Sequence, residues 1–231
     1  MVLELKNVEF EILKEKIVKD FSLVLNYGET KTLFGPSGCG KTTILRIISK
    51  LEIPKKGIVV NKFKKISYLF QENRLLDNLT ALDNVLLCMN KPDENLVLEH
   101  FNLVGLEKKD AYKYPYELSG GMAKRVSFMR AYLSGADLIL LDEPFVGLDM
   151  DLRNILVNLL AKKLEEKSIA CILVTHDRFE AVMMSDEVLF LSKKQAVVKN
   201  KVTFDTLPSK RDIAFIQKAV DINFKGVIYY D

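Results

Sequence analysis

Tryptophan is absent from this 231-residue chain, histidine occurs twice and cysteine three times. Cys39, Cys88 and Cys171 show no metal-ligand spacing, and an odd count without a framework favours a reducing compartment. Long hydrophobic runs are also missing. The longest, Ala170 to Val174 and Leu138 to Leu141, are far too short to cross a bilayer, so a membrane role has to come through a partner. The opening MVLELKNVEF mixes charged and apolar residues and does not read as a signal peptide. Charge of one sign is scarce: the formal net charge is +3, too little bias for a basic nucleic-acid-binding face. Repeats, low-complexity segments and disordered linkers are absent as well. What remains, 48% hydrophobic and 28% charged residues, suits one large globular domain or a core domain with an insertion.

The stretch Gly35–Thr43, GPSGCGKTT, fits G-x-x-x-x-G-K-[ST], with Gly35, Gly40, Lys41 and Thr42 in register. An apolar strand, Thr30 to Phe34, precedes it, and an amphipathic helix over Ile44 to Lys50 comes after it. Glycines between strand and helix let backbone N–H groups close around a phosphate, and the helix start adds unpaired donors and its dipole. Lys41 is expected to reach the β- and γ-phosphates as a mobile point charge, with the Thr42 hydroxyl on Mg²⁺. Cys39 sits inside this loop, open to thiol reagents but without any sign of a catalytic role.

Alternation of apolar and polar residues predicts strands over Val2 to Phe10 and Ile17 to Leu25, with a turn at Asn26, Tyr27 and Gly28. Pro54 and Gly57 bracket a turn before strands at Ile58 to Val60 and Ile66 to Phe70. After Gln71 the pattern becomes helical, over Leu82 to Met89, Glu94 to Val104 and from Ser119 through Tyr132. Strand–helix alternation then resumes: Leu138 to Leu141, Met150 to Glu166, Ile169 to Val174, Asp177 to Met184. Strands at Glu187 to Leu191 and Ala196 to Val202 and a helix over Arg211 to Val220 complete the chain.

Two further constellations carry chemistry. Leu138–Leu141 runs into Asp142, Glu143 and Pro144, and the carboxyl edge of a parallel sheet is where such folds place ligands. Asp142 is expected to bind Mg²⁺ through water, and Glu143 to polarise the attacking water as general base. Leu118-Ser119-Gly120-Gly121-Met122 puts a hydroxyl and bare backbone donors at a helix start. Alone it is only a cap, and within one chain this second anion-binding start has no phosphate to serve.

Taken together these motifs resemble those of ATP-binding-cassette (ABC) transporter ATPase subunits over nearly the whole chain. GPSGCGKT corresponds to the Walker A motif, Gln71 to the Q-loop, LSGGM to the signature, LILLDEP to Walker B with its catalytic glutamate, Gly147-Leu148-Asp149 to the D-loop and Val174-Thr175-His176-Asp177 to the switch histidine. The resemblance implies a P-loop NTPase (RecA-like) α/β core with a mixed sheet, an N-terminal antiparallel β-subdomain and an inserted α-helical subdomain. The single domain over 1–231 would divide into a core of 1–71 and 135–231 and a helical insertion of 72–134. It further implies ATP and Mg²⁺ as cofactors and a head-to-tail homodimer. ATP would lie between Gly35, Pro36, Ser37, Gly38, Cys39, Gly40, Lys41, Thr42 and Thr43 of one subunit and Ser119, Gly120 and Gly121 of the other. Asp142, Thr42 and Gln71 would hold the metal, Glu143, Gln71 and His176 would carry catalysis, and Asp149 would bridge the subunits. Lys41 alone would then bind ATP but turn it over poorly in a monomer.

The stretch FQ-x-x-RLL-x-x-LT-x-x-x-NV, from Phe70 to Val85, is similar to ATPases of nitrate, sulfonate, taurine and thiamine-precursor importers. That implies a cytoplasmic subunit on the inner face of the membrane, beneath transmembrane permease subunits and working with a solute-binding protein. It would move a small solute, with anions among the candidates, and bind no nucleic acid. The alternatives are an ABC exporter ATPase and a non-transport ABC-type regulatory ATPase; the coiled-coil chromosome-maintenance ATPases are set aside because no long heptad run is present. Three positions depart from the family. Aligned on Lys19-Asp20, the position of the family's adenine-stacking aromatic is occupied by Ile12, with Phe10 two residues earlier on the same strand face as a substitute. The NKFKK link from Asn61 to Lys65 is short, and Ser49-Lys50-Leu51 stands where Ala-Gly is common.

Overall fold

Leu138–Leu141 is buried on both faces, and the molecule is built outward from it. In the computed structural model, which describes residues 2–225, this run forms β6 (Leu138–Asp142). Leu138 and Leu140 face one apolar cluster and Ile139 and Leu141 another, so every side chain finds a hydrophobic partner. Burying each is worth about 1.5–3 kcal/mol, which explains an unbroken apolar run in place of alternation.

The strands before it are β1 (Leu3–Ile12), β2 (Glu15–Leu25), β3 (Thr30–Phe34), β4 (Lys56–Asn61) and β5 (Ile66–Leu69); those after it are β7 (Ala170–Thr175), β8 (Glu187–Leu191) and β9 (Val198–Thr203). They make two sheets. One is antiparallel, ordered β2-β1-β4; the other is six-stranded, ordered β5-β6-β7-β3-β8-β9, parallel except for antiparallel β9. The mixed core sheet and the N-terminal antiparallel sheet are those the family resemblance implies.

Helix α1 (Lys41–Ile48) comes after β3 and buries Ile44, Leu45, Ile47 and Ile48. It starts at Lys41, inside the glycine-rich stretch and three residues before its expected position. Between β5 and β6 lie α2 (Ala81–Leu86), α3 (Glu94–Leu103), the short α4 (Lys108–Ala111), absent from the expectations, and α5 (Gly120–Tyr132). Their buried faces, including Val85, Phe101, Val126 and Phe128, join the cluster under Ile139 and Leu141. Thr80, Asp93 and Ser119 cap α2, α3 and α5 through side-chain oxygens. Helices α6 (Met150–Glu165), α7 (Arg178–Met184) and α8 (Ile213–Asn223) complete the chain. Asp177 and Asp212, both expected within the first residues of helices, are the caps of α7 and α8.

Register places the chemistry on one edge. Phe34 pairs with Thr175, Leu141 with Leu173, Asp142 with Val174 and Leu69 with Leu141. The residues just past these strand ends, Gly35, Gln71, Glu143 and His176, therefore emerge together at the carboxyl ends of neighbouring parallel strands.

Candidate nucleotide-hydrolysis site

The cleft at that edge has a volume of about 310 Å³ and is lined by Ile12, Ile17, Ser37, Gly38, Gly40, Lys41, Thr42, Thr43, Gln71 and Glu143. Gly40 holds a φ of 109°, and a Cβ there would sit 2.8 Å from the Ile17 carbonyl oxygen, so the turn into α1 admits only glycine. Gly40 offers α1 no side-chain cap, which leaves the first N–H groups of the helix directed at the cleft. Gly35, Pro36 and Cys39 do not line it. Cys39 is 1% exposed, within a core that also holds Leu191, and burial pushes its thiol pKa up.

Lys41 differs from the expected mobile charge. It is 5% exposed, and Nζ donates to the carbonyl oxygens of Gly35 and Pro36, each at 2.8 Å. Because α1 begins at Lys41 itself, the side chain folds back over the loop and satisfies its donors on it.

Asp142 is 3% exposed and burial raises its pKa, opposed by hydrogen bonds from the Thr42 and Tyr68 hydroxyls. Glu143 stands in the left-handed region at φ 48°, with its N–H donating to the Val174 carbonyl at 2.9 Å. An L-residue costs about 1–2 kcal/mol there, and the turn aims the carboxylate out of the sheet edge. Its oxygens have different partners: Gln71 Nε2 donates to Oε2 at 3.5 Å, and His176 Nδ1 lies 3.2 Å from Oε1. Three residues separated by up to 105 positions thus meet at the mouth of the cleft.

Ile12 is 50% exposed at the rim, whereas Phe10 is 8% exposed and belongs to the core. Ile12 is the last residue of β1, opposite Glu15 at the hairpin end, while Phe10, two residues earlier, is packed in the core, so Phe10 is no substitute for an adenine stack. Ser119, Gly120 and Gly121 are exposed, do not line the cleft, and a Cβ on either glycine would meet nothing within 4 Å. Asp149 is exposed and accepts the Leu152 N–H at 2.9 Å as the cap of α6.

Sequence reasoning missed the supports. Glu180, 2% exposed, accepts a hydrogen bond from the Thr175 hydroxyl and lies 3.8 Å from Arg153 Nη2; burial raises its pKa. Arg153 also pairs with Asp177 at 3.5 Å. Lys124 Nζ donates to the Glu143 and Val146 carbonyls. The helical spacing of Arg153 and Glu180 gave no hint, since each reads as an ordinary charge on an amphipathic helix.

A phosphate loop with an uncapped helix behind it and a paired acid at the neighbouring strand tip defines a P-loop nucleotide-hydrolysing protein. The chain belongs to the ABC transporter family, whose model matches residues 18–146, and it is an ATP-binding cassette with ATPase activity. It is 39% identical over 190 residues to the nitrate import ATP-binding protein NrtC of Synechocystis, covering 76% of this chain but only 28% of that protein. It is 32% identical over 218 residues to the aliphatic sulfonates import ATP-binding protein SsuB of Bacillus cereus, covering 89% of this chain and 87% of that one. Among solved structures it is similar to the dimeric post-hydrolysis state of the ATP-binding cassette MJ0796 bound to ADP and phosphate. That likeness has a TM-score of 0.76 and 29% identity, over 89% of this chain and 100% of the other.

Proposed function

We propose that this chain is the ATPase subunit of an ABC importer and works as a head-to-tail homodimer beneath transmembrane permease subunits. The observation that carries the reading is the Glu143 carboxylate, contacted by both Gln71 and His176 at the mouth of the Lys41–Thr42 cleft. Glu143 takes a proton from the attacking water, His176 holds the carboxylate and the γ-phosphate in place, and Gln71 reports from the segment that faces the permease. Ser119, Gly120 and Gly121 supply their donors to ATP held by the second copy, because within their own chain all three are exposed and lie off the cleft. Asp149, at the start of α6, stands where it bridges to that copy. Residues 72–134 form the helical insertion and 1–71 with 135–231 the core, the first residue and the last six lying outside the described residues.

The residues fit a magnesium ion. Among the described residues no group of three or more His, Cys, Asp or Glu side chains could hold a metal, so Asp142 would be the single carboxylate, assisted by Thr42 and Gln71. A buried carboxylate with hydroxyl partners and no ion pair within the described residues suits a cation that keeps waters and takes its other ligands from phosphates. When bound, the ion neutralises charge on the β- and γ-phosphates.

The import direction and a cytoplasmic-face location draw support from the relatives' names and from the Phe70–Val85 segment. Those names include nitrate, aliphatic sulfonates and spermidine/putrescine, solutes of opposite charge, which favours solute choice by a binding protein and permease outside this chain. No helix among the described residues is long and apolar enough to cross a membrane. Purified protein with Glu143→Gln is expected to form an ATP-dependent dimer in size-exclusion chromatography with light scattering, with turnover at least about 100-fold reduced. A variant that stays monomeric with saturating ATP, or that hydrolyses normally, overturns the mechanism.

A further inference from the structure

Tyr68 lies on β5, beside β6, paired in register with Leu140. Its hydroxyl donates to Asp142 Oδ2 at 3.3 Å. A carboxylate only accepts, so the phenol is the donor in this pair. The ring stacks on Phe70 with centroids 3.9 Å apart and 17° between planes, and the Arg74 guanidinium sits 4.1 Å from the Phe70 centroid. Tyr68, Phe70 and Arg74 line, with Thr42, Gln71 and Asp142, a cavity of about 190 Å³ adjoining the cleft.

The ring alone explains the packing, since phenylalanine would stack on Phe70 equally well. What the hydroxyl adds is a second partner, on Oδ2, for a carboxylate that the Thr42 hydroxyl also holds. Outer partners of this kind orient a metal's ligands and set their basicity.

We propose that Tyr68 is a positioning residue for the nucleotide-bound divalent cation. By holding Oδ2 of Asp142 it turns the carboxylate so that the remaining oxygen is presented beside Thr42. The stack through Phe70 and Arg74 links that hold to the segment beyond Gln71, so a displacement of this segment is felt at Asp142 as well as at Gln71. This inference rests on the reading of Asp142 as the metal carboxylate.

Tyr68→Phe removes one oxygen atom and keeps the stack. Mn²⁺ binding to the ADP complex, monitored by the loss of the free-ion electron paramagnetic resonance signal, is expected to weaken about tenfold, the lower end of what losing such a partner costs. Binding of a fluorescent ADP analogue in EDTA is expected to stay within about twofold of the parent. In an Asp142→Asn background the same substitution is expected to change Mn²⁺ affinity no further. If the parent takes up Mn²⁺ and Tyr68→Phe matches it within about twofold, or if the two substitutions add, the role of Tyr68 is overturned while the function stands. An equal loss in EDTA also overturns it, because the hydroxyl then serves the nucleotide or the fold. Should the parent with ADP fail to take up Mn²⁺, the metal assignment of Asp142 fails and Tyr68 with it.

Discussion

His176 Nδ1 lies 3.2 Å from Glu143 Oε1, joining the residue after β7 to the residue after β6. A carboxylate accepts only, so Nδ1 carries the proton in this contact. The contact holds in place a glutamate whose backbone is in the left-handed region. His176→Ala is expected to lower kcat for ATP about 100-fold while ADP affinity stays within about twofold, because the lost contacts are those proposed to the general base and to the γ-phosphate, which ADP lacks. Steady-state turnover together with equilibrium ADP binding checks both halves.

Ile12, half-exposed at the rim of the cleft, is the residue that the family resemblance sets against adenine, and Phe10 is buried in the core. An aromatic contact is worth about 0.5–1.5 kcal/mol beyond area burial, so Ile12→Tyr is expected to tighten ATP binding roughly three- to tenfold. Phe10→Ile is expected to change stability and leave affinity alone. Titration with a fluorescent ATP analogue, alongside urea unfolding of both variants, separates the two effects.

Glu180 supplies a pH test. Burial raises its pKa in the folded state above the unfolded value, so folding favours the protonated form. Its contribution to stability is therefore complete below the unfolded pKa, near 4.5, and is lost as pH rises through the raised value. Glu180→Gln does not titrate. Its unfolding midpoint in urea, relative to the parent, is expected to climb between pH 4 and pH 8; a difference that stays flat or falls contradicts the raised pKa. Asp142 and Asp186, also raised by burial, cancel in this comparison.

The sequence by itself determined the order of strands and helices except for the short α4, the phosphate loop and the acid pair, because these depend on local features. Glycine permits a left-handed turn, an apolar run demands two covered faces, and a strand that ends in two acids delivers them to an edge. Caps such as Ser119 and Asp149 are local in the same sense, each reaching an N–H three residues ahead.

Tertiary structure decided which charged or polar side chains meet. Gln71, Glu143 and His176 come together because β5, β6 and β7 are adjacent and parallel, with their ends in register. Tyr68 meets Asp142 for the same reason, and nothing in Ile66–Leu69 distinguishes its hydroxyl from that of any half-buried strand tyrosine. Ile12 reaches the cleft because it is the last residue of β1, opposite Glu15 at the hairpin end, whereas Phe10, two residues earlier, is packed in the core. Residues two apart on a strand share a direction but not their neighbours, so which of them is covered depends on what packs against the strand, and its own sequence does not show that.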